Sequence, residues 1–203
     1  MNRPESISRR RFMAPCALLP LATLVAPLGA AADTKRRAAG RVLVVYFSRS
    51  GNTRVIAGYI GRSLGATVFE IQPAQPYPED YFQTVEQARR ERDSGFRPPL
   101  KGRVENLDAY NVVYLGFPIW GGTAPPVVRS FLVAHDLAGK TLIPFITHGG
   151  YGAGDSLKVV AAHALRARLQ EAALVMQADQ EKQTTERVNR WLGDARPVRR
   201  PAN

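Results

Sequence analysis

The stretch RVLVVYFSRSGNT, residues 41–53, decides the fold of this chain. After Arg41 it opens with an apolar run rich in β-branched side chains, which is typical of a strand buried on both faces of a parallel sheet. The polar residues that follow lead into a segment, from Val55 to Leu64, in which apolar residues recur at helical spacing. The stretch therefore predicts a strand, a polar turn and a helix, the first unit of an α/β fold.

The same alternation continues along the chain. Further strands are predicted over residues 66–71, 111–116, 141–146 and 172–176, and further helices over residues 80–92, 127–134, 155–170 and 184–192. Because strand and helix alternate five times, the sequence predicts a doubly wound five-stranded parallel sheet with helices on both faces. Ligands of such sheets bind beyond the carboxyl ends of the strands, so the loops after the first, third and fourth strands are the candidate binding segments.

The first of these loops has the composition of a phosphate-binding turn. Its residues are Ser48, Arg49, Ser50, Gly51, Asn52 and Thr53. A helix that starts here offers unpaired N–H groups and the positive end of its dipole, and a glycine lets the backbone approach a ligand closely. A plain capped turn is the alternative, because Ser, Asn and Thr are ordinary N-caps. The chain has neither a Walker loop nor a GxGxxG fingerprint.

The other two loops carry aromatic rings among glycines. The second contains Pro118, Ile119, Trp120 and Gly121, and the third contains Thr147, His148, Gly149, Gly150, Tyr151 and Gly152. The rings of Trp120 and Tyr151 are suited to stacking on a flat heteroaromatic ligand, although a tryptophan at this place can also fold back on the core. His148 is either a proton donor or a plain hydrogen-bonding residue.

Together the three loops resemble those of the flavodoxin family, over about residues 41–192. The resemblance implies a sheet of strand order 2-1-3-4-5 and non-covalent binding of flavin mononucleotide (FMN). It also implies roles for residues. The FMN phosphate would be bound by Ser48, Ser50, Asn52 and Thr53. Trp120 would flank the isoalloxazine, and Ile119 and Gly121 would supply backbone contacts to it. Residues 149–152 would border the pyrimidine side of the isoalloxazine.

The chain also departs from that family. Gly121 and Gly122 follow Trp120 where some relatives carry a second tryptophan, and Ala153 stands where certain short flavodoxins place a stacking aromatic. His148 replaces a hydroxyl or small residue. One face of the flavin would therefore be covered only by Tyr151 or left open, which favours hydride exchange or substrate access over pure carrier work.

The N-terminus has the three parts of an export signal. Arginines precede an apolar stretch that ends in small residues near Asp33, and the paired arginines before Phe12 resemble a twin-arginine signal. We expect residues 1–32 to be this signal, residues 33–40 a short tether, residues 41–193 the FMN-binding domain and residues 194–203 a basic tail. An uncleaved membrane anchor is the alternative, but three prolines interrupt the apolar run. Cleavage would place the protein in the periplasm and remove Cys16, the only cysteine.

The positive net charge of the chain indicates which classes of partner it can bind. The net charge is +11. The leader contains four arginines and one glutamate, so the remainder of the chain would carry +8. Such a charge favours an anionic redox partner protein or small-molecule electron acceptor. Scattered basic residues argue against nucleic acid, and the histidines form no zinc-ligand cluster. The leading interpretation is periplasmic electron transfer; the alternatives are an FMN-dependent NAD(P)H:quinone or nitro-type reductase and a flavin-free binding module.

Overall fold

The computed structural model of the protein describes residues 41–177 and 181–195. The predicted signal peptide, the tether and the tail from residue 196 onward lie outside the described residues, as does the proposed cleavage site.

The described chain alternates strands and helices as predicted. The strands are β1 (Arg41–Tyr46), β2 (Thr67–Glu70), β3 (Tyr110–Pro118), β4 (Thr141–His148), β5 (Arg168–Leu169) and β6 (Leu174–Gln177), and the helices are α1 (Asn52–Leu64), α2 (Tyr81–Ser94), α3 (Pro126–Ala134), α4 (Ser156–His163) and α5 (Glu181–Asp194). The pairings are parallel, in the order β2-β1-β3-β4-β5, and β6 also pairs with β4. The predicted strand order is confirmed.

Two apolar cores lie on the two faces of this sheet. Alternate residues of β1 point to opposite faces, so Leu43 and Val45 belong to one core and Val44 to the other. Helices α3 and α4 cover the first core, and α1 and α5 cover the second. The central strands are therefore buried on both sides, which explains their continuous apolar sequence.

The predicted helix over residues 155–170 is wrong in its second half. Helix α4 ends at His163, and the chain then returns to the sheet. The N–H of Arg168 donates to the carbonyl of Lys140 and that of Gln170 to the carbonyl of Leu142, both at 2.8 Å. These bonds to β4 and to the residue before it outweigh the helix propensity of the Ala- and Leu-rich segment.

The predicted strand over residues 172–176 corresponds to β6, whereas β5 lies within the segment that was predicted as helix. β5 pairs with the first residues of β4, and β6 pairs with its last residues, from Phe145 to His148. Over residues 41–177 and 181–195 the sheet thus contains six strands, the sixth being extra to the prediction. Among the described residues, no helix has the length and apolarity that crossing a membrane requires.

Candidate functional site

A cavity lies at the carboxyl-end edge of the sheet, where the first, second and third loops come together. Its volume is about 690 Å³, within the range of about 300–1,000 Å³ typical of small-molecule sites. The loops contribute Arg49, Ser50, Asn52, Pro118, Ile119, Trp120, Gly121, Thr147, His148 and Gly149 to its lining, and helix α2 contributes Tyr81, Thr84, Val85, Ala88, Arg89 and Arg92. The structure therefore brings together ten of the predicted site residues and adds a wall that the sequence analysis did not identify.

The first loop ends at the start of α1, whose N-terminus no side chain caps within the described chain. Gly51 is the N-cap residue and has φ of 97°, a left-handed conformation that glycine adopts without strain. A Cβ built on Gly51 would meet nothing within 4 Å, so the space beside this backbone is open. The uncapped N–H groups and the dipole of this 13-residue helix suit an anion.

Two hydroxyls of the first loop serve its internal structure. The N–H of Gly51 donates to Oγ of Ser48 at 3.1 Å, which closes the turn. Thr53 is buried, and its Oγ1 lies 2.9 Å from Oγ1 of Thr147, which ties the first loop to the third. Ser48, Gly51 and Thr53 therefore lie next to the cavity and not in its lining.

The second loop is a tight turn that requires glycine. Backbone bonds join Trp120 and Thr123 in both directions, at 2.9 and 3.2 Å. The two residues between them, Gly121 and Gly122, have φ of 55° and 81°, as a type I′ turn demands. A second tryptophan at Gly121 would be strained, which gives a physical reason for this departure from some relatives.

Trp120 both lines the cavity and packs on the core. Its ring makes edge contacts with Phe47 and Tyr77, with ring centroids 5.2 and 4.9 Å away. Trp120 therefore packs on the core, as one of the two alternatives for this residue holds, and it also lines the cavity. The edge contacts fix the indole while part of it stays on the cavity surface.

The third loop enters the cavity only with its first residues. Nδ1 of His148 accepts a hydrogen bond from the N–H of Gly150 at 3.0 Å, so this histidine acts as a hydrogen-bonding residue of the loop. Tyr151 is 94% exposed. Gly150, Tyr151 and Gly152 lie beyond the lining of the cavity, so the structure does not bring the predicted second stacking ring into it.

Tyr151 lies outside the cavity because the end of the third loop is joined to the second loop. The N–H of Asp155 donates to the carbonyl of Gly122 at 3.0 Å. A Cβ on Gly154 would come within 2.0 Å of the same carbonyl oxygen. This close approach fixes the end of the third loop against the second and leaves Tyr151 on the outside.

Helix α2 forms the wall that the sequence analysis missed. Its lining positions recur at spacings of three and four residues, from Tyr81 to Arg92, and so form one stripe of the helix. The stripe is apolar towards the N-terminus and cationic towards the C-terminus. The residues at both ends of the stripe are also common on solvent-exposed helix faces, so the sequence pattern did not predict that this stripe lines a cavity.

A buried carboxylate holds α2 to the segment before it. Glu91 accepts hydrogen bonds from the hydroxyl of Tyr77 at 2.7 Å and from Nε2 of Gln87 at 2.8 Å. Burial and the bond to Glu91 raise the pKa of Tyr77 well above its ordinary value, so its hydroxyl stays protonated as a donor. Since Tyr77 also contacts Trp120, this network supports the ring that lines the cavity.

The cavity is positively charged. Arg49 lines one side and Arg89 and Arg92 the other, and in the described chain no carboxylate contributes to the lining. Among the described residues there is also no group of three or more His, Cys, Asp or Glu side chains that could hold a metal ion.

A parallel sheet of this order, with an uncapped helix N-terminus and an aromatic ring in one cavity at its carboxyl edge, defines the class of flavodoxin-like α/β proteins. The family model described as Flavodoxin matches residues 41–194. The chain belongs to the flavodoxin family.

Solved structures agree with this membership. A provisionally assigned flavoprotein from Bacteroides eggerthii is 30% identical, with a TM-score of 0.67, over 79% of this chain and 99% of its own. A provisionally assigned flavoprotein from Bacteroides uniformis is 28% identical, with a TM-score of 0.65, over 74% and 98%. A flavoprotein from Lactobacillus acidophilus, solved in complex with FMN, shares the fold at 18% identity and a TM-score of 0.60, over 75% and 99%. None of the curated proteins compared with the chain is a significant match.

Proposed function

We propose that the chain binds FMN non-covalently in this cavity and serves in electron transfer in the periplasm. The observation that carries the proposal is the meeting of the uncapped α1 N-terminus and the Trp120 ring in one cavity. When bound, FMN supplies the chemistry, because it can take up and release one or two electrons. The chain supplies binding, orientation and the electrostatic surroundings.

The residues present fit FMN at both of its ends. The first turn of α1 offers N–H groups and a dipole to the phosphate, and the open space beside Gly51 lets a phosphate approach the backbone. Ser50 and Asn52, which line the cavity, can donate further hydrogen bonds. Trp120 offers a fixed aromatic surface, and the Gly121–Gly122 turn exposes backbone groups.

Three solved structures support this assignment. The chain matches provisionally assigned flavoproteins over nearly their whole length, and the Lactobacillus acidophilus protein of the same fold was solved with FMN. Export is supported by the arginine-rich start and apolar stretch of residues 1–32. Twin-arginine export suits an FMN protein, since this route carries folded proteins and FMN is made in the cytoplasm.

A reductase is the second candidate function. It is favoured by the α2 wall, where Arg89 and Arg92 face the same cavity as the loops. A carrier would take up electrons in resolved one-electron steps during reductive titration. A reductase would oxidise NADH or NADPH catalytically when a quinone or nitro compound is present.

The proposal is tested by comparing the affinities of FMN and riboflavin, which lacks the phosphate. Ser50→Ala should weaken FMN binding by about 1 kcal/mol, the typical worth of one hydrogen bond, and leave riboflavin binding unchanged. Ser63→Ala, at the exposed opposite end of α1, is the matched control. Equal affinity of the wild type for FMN and riboflavin would show that α1 does not bind the phosphate.

A further inference from the structure

The cationic end of the α2 wall has more positive charge than its own ion pairs balance. Arg92 Nη2 lies 3.0 Å from Asp93 Oδ1, and Arg89 Nε lies 3.9 Å from Asp93 Oδ2. A single surface carboxylate is thus shared by two guanidinium groups. Asp93 itself is on the surface and ion pairs with a surface carboxylate are worth little, so both arginines can exchange Asp93 for a stronger anionic ligand.

Arg92 is the more enclosed of the two. Its side chain is 30% exposed, against 64% for Arg89. A Cβ built on Gly121 would lie 2.3 Å from Nη1 of Arg92, so the guanidinium lies directly against the turn of the second loop. An anion bound by Arg92 would therefore lie beside the loop that also carries Trp120.

A third cation, Arg129, lies close to the same turn. Arg129 donates from Nη2 to Oγ1 of Thr123 at 3.4 Å and from Nε to the carbonyl of Ala124 at 3.3 Å. Burial lowers the pKa of Arg129, and the charge of Arg92 lowers it further, while Asp155 opposes the shift. A bound anion would reduce this like-charge repulsion.

We propose that Arg92, together with Arg89, forms an anion subsite in the cavity, which binds the acidic group of a small aromatic redox substrate. The aromatic body of this substrate lies against the apolar part of the same helical stripe, at Val85 and Ala88. Val85 precedes Arg89 by one helical turn, about 6 Å along the axis. This inference rests on the proposed function, because the subsite adjoins the place assigned to the flavin.

The position of the arginines favours this occupant over two others. The phosphate of FMN is assigned to the N-terminus of α1, a different element from the one that carries Arg92. An acidic residue of a partner protein would need Arg92 to project from the surface, and its guanidinium is instead recessed against Gly121. A small molecule inside the cavity reaches it directly.

The test compares two quinones that differ in charge. Calorimetry measures binding of 1,4-naphthoquinone-2-sulfonate and of neutral 2-methyl-1,4-naphthoquinone to the oxidised protein, with and without FMN. Arg92→Gln should weaken sulfonate binding about tenfold (about 1.4 kcal/mol) and leave the neutral quinone unchanged, with a smaller loss for Arg89→Gln. Arg90→Gln is the matched control, because Arg90 pairs with Glu86 and does not line the cavity.

Each other outcome has a distinct meaning. Equal sulfonate binding by the wild type, Arg92→Gln and Arg90→Gln overturns the subsite. A loss of FMN affinity in Arg92→Gln without a loss of riboflavin affinity also overturns it, since the arginine would then hold the cofactor phosphate. A wild type that binds no FMN contradicts the proposed function. In that case the sulfonate titrations of the FMN-free chain still decide the subsite on their own.

Discussion

At the scale of single residues, the two aromatic rings predicted to stack on the flavin have different surroundings. Trp120 is held by Phe47 and Tyr77 and lines the cavity, whereas Tyr151 is almost fully exposed and lies outside it. The two rings have similar chemistry, so both were candidates for stacking on the flavin. The difference arises from the bond between Asp155 and Gly122, which joins loops more than 30 residues apart.

Replacing these two rings separately tests this difference. We expect Trp120→Ala to weaken FMN binding by about 1–3 kcal/mol, the range of lost aromatic contact and ring burial. Tyr151→Ala should leave the affinity unchanged. Fluorescence titration of added FMN measures both. A loss in Tyr151→Ala as large as that in Trp120→Ala would mean that the third loop closes on the flavin.

At the scale of elements, strands were easier to predict than the ends of helices or the faces they present. The central strands β1, β3 and β4 follow from continuous apolar runs rich in β-branched residues, which are typical of strands covered on both faces of a sheet. The end of α4 depends on the hydrogen bonds that Arg168 and Gln170 donate to the sheet. Helix propensity is a local property of the sequence, so it cannot predict these long-range bonds. The α2 wall likewise depends on the packing of a helix whose exposed and cavity-facing positions have similar composition.

The end of α3 contains a histidine that should make stability depend on pH. His135 is buried; its Nδ1 lies 2.9 Å from the carbonyl of Phe131, and its Nε2 accepts from the N–H of Val104 at 3.1 Å. Burial, and to a lesser extent the charge of Arg103, lowers the pKa of His135, while the Phe131 carbonyl opposes this. Protonation would also remove the acceptor that Val104 uses.

A lowered folded-state pKa means that the unfolded chain binds more protons near neutral pH. The contribution of His135 to the free energy of unfolding is therefore present above its ordinary pKa of about 6.5 and is lost as the pH falls below that value. Urea denaturation between pH 8 and pH 5 should show this decrease, and His135→Gln should diminish it. His163→Gln is the control for removing a histidine. An identical pH dependence in wild type and His135→Gln would contradict the assignment.

At the scale of the whole molecule, the resemblance to the flavodoxin family implied the sheet order. The alternation of strands and helices indicated the general place of the site, because ligands of a doubly wound sheet bind beyond the carboxyl ends of its strands. The proposed cellular location is a separate matter, since it rests on the sequence of residues 1–32, which the structure does not describe. The strong positive charge remains after these residues are removed. It agrees in sign with the three arginines that line the cavity.

The proposed export route makes a direct prediction about this leader. Arg9→Lys together with Arg10→Lys keeps the charge but should block twin-arginine export, so that the uncleaved precursor accumulates in the cytoplasm. Arg3→Lys is the matched control and should be exported normally. Cell fractionation with detection of the tagged protein measures this. Undiminished export of the double variant would contradict the twin-arginine assignment.

The central claim, that the cavity holds FMN, is tested most directly by the absorbance spectrum of the protein purified after native export, repeated after adding free FMN. The account predicts the two flavin bands, near about 370 and 450 nm, with the flavin released as FMN on denaturation. A colourless protein that neither shifts the spectrum of added FMN nor quenches its fluorescence would contradict the account and favour a flavin-free binding role for the same fold.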